Sequence, residues 1–173
     1  NAEQAKELYA LAEKKQLFIM EAFWIRFLPL YANLQQMLAD GVIGTLQTIT
    51  CQYGFTTEGA RRERKFNSAL GGGALLDIGV YALSFVRMFF SSCPDQIQSQ
   101  VKFAPTGVDE QAGILLMNRE QEMVTVTLSL HAKQPKRGMI SFDRAYVEMY
   151  EYPRGQKAVI TYTEDGHTEE ITA

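Results

Sequence analysis

Two cysteines, Cys51 and Cys93, are all that the 173-residue chain offers. A disulfide framework is not expected, and such cysteine usage suits a reducing cytoplasm. Histidine is equally scarce: His131 and His167 stand alone, and no cysteines cluster beside them, so the usual ligand set of a zinc site is missing. Neither sign of charge is in excess, since 17 Lys and Arg against 20 Asp and Glu leave a net charge of −3. That balance gives no reason to expect nucleic acid or an anionic membrane as partner. No apolar run approaches the roughly 20 residues of a membrane-crossing helix. Repeats and low-complexity tracts are also absent, as is the G-x-G-x-x-G turn of a dinucleotide site. What remains is a chain 46% hydrophobic, of a length that suits one domain with a core.

Periodicity divides that chain into elements. Ala5, Leu8, Tyr9 and Ala12 fall on one face of an N-terminal helix. Leu17-Phe18-Ile19-Met20 follows as a short apolar run, of the kind seen in strands buried on both faces. A helix feeding such a strand is half of a βαβ unit, and the strand that should precede it is not in the sequence. The rival reading makes these four residues the end of a core helix. An aromatic-rich link, Phe23 to Pro29, leads to a second helix over 30–40, with Leu34, Met37 and Leu38 inward and Gly41 at its C-terminal cap. Ile49, Cys51, Tyr53 and Phe55 alternate in a strand over 46–55, which makes Cys51 a core residue rather than a nucleophile.

Residues 56–70 are polar and basic, with Arg61, Arg62, Arg64 and Lys65, and are expected to form a long loop of the kind that tends to be functional. Gly71-Gly72-Gly73 then opens the most apolar helix, to about Phe90. Strands are expected over 97–103, 111–117, 123–131, 139–142, 145–152, 158–163 and 168–172. The fold class is therefore α+β: a few helices packed on one face of an open, mostly antiparallel sheet of six or more strands. Such a sheet leaves apolar area, to be covered by a second copy in a two-fold dimer, by helices outside these residues, or by both.

Chemistry concentrates at Asp77 and Tyr81. Their i, i+4 spacing puts them on one helical face set among apolar residues. An acid in that setting needs a partner or a task, because burying it unpaired costs several kcal/mol. In the functional reading Tyr81 exchanges a proton with a substrate hydroxyl and Asp77 orients a substrate group. In the bland reading Asp77 pairs locally and Tyr81 simply packs. The three glycines favour the first, since they let a backbone or a ligand come close at the helix start.

The stretch from Phe18 to Pro29 (FIMEAFWIRFLP), Gly41-Val42-Ile43-Gly44, and Gly71 to Tyr81 resemble the glucose–fructose oxidoreductase/inositol dehydrogenase (Gfo/Idh/MocA) family, and within it the dimeric dihydrodiol dehydrogenase branch. The resemblance runs from about residue 2 to 90 and continues in pattern only. It implies a parent enzyme with an N-terminal Rossmann domain binding NAD or NADP and a C-terminal domain whose open sheet dimerises. Residues 1–22 would then be the tail of a truncated Rossmann domain. Residues 23–173 would form the substrate-binding and dimerisation domain, without its C-terminal helices.

The implied activity is hydride transfer between nicotinamide and a sugar, polyol or diol carbinol, for which the fragment alone would be inactive and bind no cofactor. The alternative is a non-catalytic ligand-binding or dimerisation module of the same fold. By the same resemblance Asp77 and Tyr81 are the catalytic pair, with tyrosine where most members carry histidine. A free tyrosine ionises near 10, so acting at neutral pH requires a positive charge nearby. The family supplies a lysine in a Glu-Lys-Pro motif that this sequence does not contain. Trp24, Arg26 and Phe27 match residues lining the cleft, Glu21 falls on the cofactor side, and Arg61 or Arg62 reaches a polar substrate from the 56–70 loop.

Overall fold

A computed structural model describes residues 2–172, and residues 60 and 61 by their backbone only. Its frame is one sheet of eight strands: β1 (Leu46–Gly54), β2 (Gln96–Phe103), β3 (Asp109–Met117), β4 (Met123–Ser129), β5 (Arg137–Phe142), β6 (Ala145–Tyr150), β7 (Lys157–Tyr162) and β8 (Thr168–Thr172). The spatial order is β2-β3-β4-β1-β5-β6-β7-β8. Every neighbouring pair is antiparallel except β1 and β4, where Cys51 faces Val126 in a parallel ladder. The expected α+β class and open, mostly antiparallel sheet are what is found.

Alternation explains which face is covered. In β4 the buried Val124, Val126 and Leu128 alternate with Met123, Thr125 and Thr127. The buried set faces α4 (Val80–Phe89), whose Ala82, Phe85, Val86 and Phe89 recur at helical spacing and are themselves buried. Phe85 lies flat enough on β5 that a Cβ on Gly138 would sit 2.6 Å from its ring. Tyr31 and Leu34 of α2 (Pro29–Ala39) complete this layer, with Tyr31 edge-on to Phe85 at 6.1 Å. Cys51 belongs to the same core, and burial pushes its thiol up to about 12. The opposite face carries Thr50, Met123, Thr125, Leu115, Tyr146 and Tyr150, all exposed. A largely apolar hollow of about 550 Å³ opens between α4 and β2–β3, lined by Leu83, Val86, Ile97, Phe103, Ile114 and Leu116.

Three expectations are corrected. Residues 56–70 are not one loop: α3 (Gly59–Lys65) and a 3₁₀ turn (Ser68–Leu70) fill much of the segment. The α3 sequence is rich in Arg, Glu and Lys, good helix formers without an apolar stripe, and Phe66 just after it supplies the buried anchor. Leu17-Phe18-Ile19-Met20 forms no strand; these side chains are exposed, Phe18 by 89%, because no strand lies beside them. The helix before them, α1 (Ala2–Lys14), buries only Ala12 and leaves Leu8, Tyr9 and Leu11 bare. Finally, the helical stretch Ser68–Phe89 is 22 residues long and apolar enough to span a membrane by length and composition. Half of that window is packed inside the fold and Asp77 in it is ion-paired, which is how the core helix of a sheet protein looks.

Candidate active site

The glycine triplet acts as a docking element between helices. The Gly72 N–H donates to the Asn67 carbonyl at 2.9 Å and the Gly73 N–H to the Lys65 carbonyl at 2.8 Å. A Cβ on Gly72 would stand 2.5 Å from that Lys65 oxygen, and Gly73 holds φ +120, a conformation nearly restricted to glycine. Beyond it, Asp109 at the start of β3 accepts the Leu75 N–H at 2.7 Å. The next five residues, Leu75–Gly79, make a single π turn, a rare form that recurs at functional sites. Asp77 is its central residue.

This arrangement brings the end of α3 against the π turn. Asp77 receives Arg64 at 2.5 Å on Oδ1 and Lys65 at 2.6 Å on Oδ2. The Asp77 and Lys65 side chains are only 12% and 13% exposed, so each offsets the other's loss of hydration. One turn on, half-buried Tyr81 meets Trp24 and Tyr53, both at 6.2 Å between ring centres. Cations flank the rings: Lys65 Nζ is 4.0 Å from the Phe55 centroid, Lys136 Nζ 5.8 Å from Tyr53, and the Arg154 guanidinium 5.5 Å from Trp24. Burial raises the Tyr53 pKa above its ordinary value. Lys136 and Arg154 oppose that rise while Tyr81 and Asp77 add to it, so Tyr53 keeps its proton at neutral pH.

Asp77, Tyr81 and Trp24 thus stand together. Arg26 and Phe27 share the 3₁₀ turn Trp24–Phe27 but are exposed; Arg26 lies 5.9 Å from the Phe23 ring and Phe27 is 69% exposed. Arg62 projects elsewhere, stacked at 4.6 Å on Phe66 beside a separate hollow lined by Asn67, Ser68 and Thr106. Arg61's side chain lies outside the described residues, and Glu21 is exposed in an irregular segment. From the basic run it is Arg64 and Lys65 that reach Asp77, a selection visible only once α3 is known to be helical. Tyr53 was visible in the β1 alternation, but as a core residue. Lys136 and Arg154 sit in turns after β4 and β6 and carry no sequence signal.

The cluster offers phenols that can give or take a proton, flat apolar rings for stacking, and cations for an anion or hydroxyl. It does not offer a dinucleotide-phosphate cradle. The Gly72, Gly73 and Leu75 amides that would have to face a phosphate are already donated within the chain, and a 3₁₀ turn rather than a strand leads into them. No group of three metal-ligating side chains occurs among the described residues.

Comparison with known proteins sets this geometry in a lineage. The trans-1,2-dihydrobenzene-1,2-diol dehydrogenase of Xenopus tropicalis is 33% identical over 150 residues, covering 86% of this chain and 45% of that protein. The human protein of the same name is 31% identical over 150 residues, 86% of this chain and 44% of its own length. The chain therefore spans about half the length of the relatives it matches. Among solved structures, a 3-ketoreductase from Actinomadura kijaniata in complex with NADP and TDP-benzene superposes with a TM-score of 0.81 at 22% identity, over 98% of this chain and 53% of that one. An aldose-aldose oxidoreductase from Caulobacter crescentus complexed with glycerol gives 0.82 at 20% identity, over 96% and 51%. Both show the same fold. The family model for the GFO/IDH/MocA C-terminal domain matches residues 31–163, and to that family the chain belongs.

Proposed function

We propose that the chain is the substrate-facing part of a nicotinamide-dependent oxidoreductase that moves a hydride between the cofactor and a carbinol carbon of a sugar, polyol or diol. The observation that carries this reading is the meeting of Tyr81, Trp24 and Tyr53 beside the ion-paired Asp77, in a chain about a third identical to dihydrodiol dehydrogenases. NADP and NAD both remain open for the parent, and the phosphate-binding part belongs to sequence outside these residues. The cofactor supplies or accepts the hydride. This chain's residues handle the proton and the substrate.

Tyr81 takes the substrate hydroxyl proton in oxidation and returns it in reduction, as general base and acid. Trp24 stacks the substrate ring. Asp77 fixes α3 and the π turn, so that Lys65 is held near the cleft. The experiment is Tyr81→Phe in the full-length protein. We expect hydride transfer to fall by about 100-fold or more with cofactor binding unchanged, in line with general acid–base contributions. Unchanged turnover removes Tyr81 from the mechanism.

One observation favours a second reading. Both Asp77 oxygens are taken by Arg64 and Lys65, as a purely structural acid would have them. The chain would then be a ligand-binding module, and the full-length protein would bind no nicotinamide, which direct titration with NADP and NAD decides. Under either reading the exposed Thr, Met and Tyr face of the sheet is the surface for a two-fold dimer. Two free cysteines are in keeping with the cytoplasm.

A further inference from the structure

The rings around Tyr81 carry more positive charge than proton transfer uses. Arg154 lies over Trp24 at 5.5 Å and enters no ion pair or side-chain hydrogen bond among the described residues. Lys136 also lies over Tyr53, and among the described residues its one ion pair is with Glu151 at 3.3 Å; that glutamate side chain is 73% exposed, so the pair is loose. Lys65 is different, since its charge is matched by Asp77.

Beside Lys65 and Lys136, and not bordered by Arg154 or Trp24, lies a space of about 530 Å³ whose lining includes Tyr53, Phe55, Thr57 and Glu58. That volume suits a small ligand such as a monosaccharide. Thr57 is 3% exposed and its hydroxyl has no partner among the described residues, an unmet hydrogen-bonding need on the wall of the space. Glu58 is the one carboxylate of the lining and is exposed at the rim. A chain of rings joins the two cations: Lys136 lies 5.8 Å from Tyr53, Tyr53 and Trp24 each meet Tyr81 at 6.2 Å, and Arg154 lies 5.5 Å from Trp24.

Resting on the reading of this cleft as the substrate site, we propose that the ring stacked on Trp24 and Tyr53 bears an anionic group, a carboxylate or a phosphate, and that Arg154 and Lys136 hold it. A guanidinium above a ring can keep its stacking contact while its N–H groups bind a carboxylate or phosphate side-on. Neutral sugars would lose those charge-assisted bonds. The dispersion contact with the rings would remain.

Trp24 is the only tryptophan beside eight tyrosines, so tryptophan emission, excited selectively at the red edge, reports on this site alone. The experiment titrates the chain at low ionic strength with D-glucuronate, D-glucose 6-phosphate and D-glucose. At least one of the two anions is expected to bind about tenfold tighter than glucose, the scale of one charge-assisted contact. Arg154→Met and Lys136→Met should each bring that preference down to about threefold or less, and added salt should erode it. Glucuronate alone responding assigns a carboxylate; glucose 6-phosphate alone responding assigns a phosphate. Glucose binding as tightly as the anions overturns the proposal. So does a preference unaltered in both variants, and so does a signal that none of the three sugars moves. Both side chains are at the surface, and Lys136→Met serves if Arg154→Met melts early. The readout needs no hydride transfer, so an active Tyr81→Phe enzyme beside an intact anion preference would sink the proposed chemistry and leave the anion site standing.

Discussion

Glu110 lies in β3, 6% exposed, with Lys102 Nζ 2.6 Å from Oε1. The hydrogen bond from Lys102 outweighs burial and holds its carboxyl below the usual range, with His131 and Arg62 adding weaker help. A depressed acid contributes stability above its unfolded pKa, about 4.3 for Glu, and that contribution is lost as pH falls through the lower folded value. Glu110→Gln should therefore melt roughly 2–4 °C below the parent at pH 7, corresponding to about 1 kcal/mol, and the gap should close near pH 3. A gap that persists at pH 3 would place the loss in packing instead. At this scale the sequence was informative where spacing alone decides. Asp77 and Tyr81 come from one turn of one helix. Arg154 and Lys136 reach the same corner from turns more than 50 residues further along, a convergence that only the sheet order produces.

Among the elements, β3 to β7 were readable because each largely alternates a covered and an open side, and β3, β4 and β7 lie within two residues of the expected bounds, whereas β2 and β8 at the sheet's edges bury no residue. Helix α3 was not, since its sequence, GARRERK, carries no apolar stripe and so no periodic signal. The π turn was invisible for a related reason: it follows from where Asp109 and the glycines dock, which periodicity does not record. That docking is testable. Gly72→Ala puts a methyl 2.5 Å from a backbone oxygen that cannot move without shifting α3, and should lose about 2 kcal/mol or more in urea unfolding. Gly71→Ala meets nothing within 4 Å and strains only its left-handed φ of +67, so about 1 kcal/mol is expected there. Equal losses would mean that close packing is not what the second glycine serves.

Across the whole molecule, the sheet has one face covered over its centre by α2 and α4, with the hollow beside β2 left uncovered, and one face that is open. Met139 stands near the middle of the open face on β5, opposite Thr50 and Glu148. If two copies meet there, Met139→Glu sets like charges facing across the two-fold axis. It should convert a dimer to monomer in sedimentation equilibrium with the circular dichroism spectrum unchanged. A monomeric parent would instead leave the open face to some other cover.

The position of β1 has a further consequence, for how the chain assembles in time. Its two neighbours in the sheet are β4 and β5, whose residues lie some 75 to 90 positions downstream at the paired registers Thr48–Met123 and Ile49–Ile140. Closing loops of that length is entropically costly, and contacts so distant along the chain slow the search for them. On the ribosome the strand waits, unpaired, until most of the remaining chain has emerged. Hairpins such as β3–β4 and β5–β6 can zip locally meanwhile, so the centre of the sheet is the last seam to close.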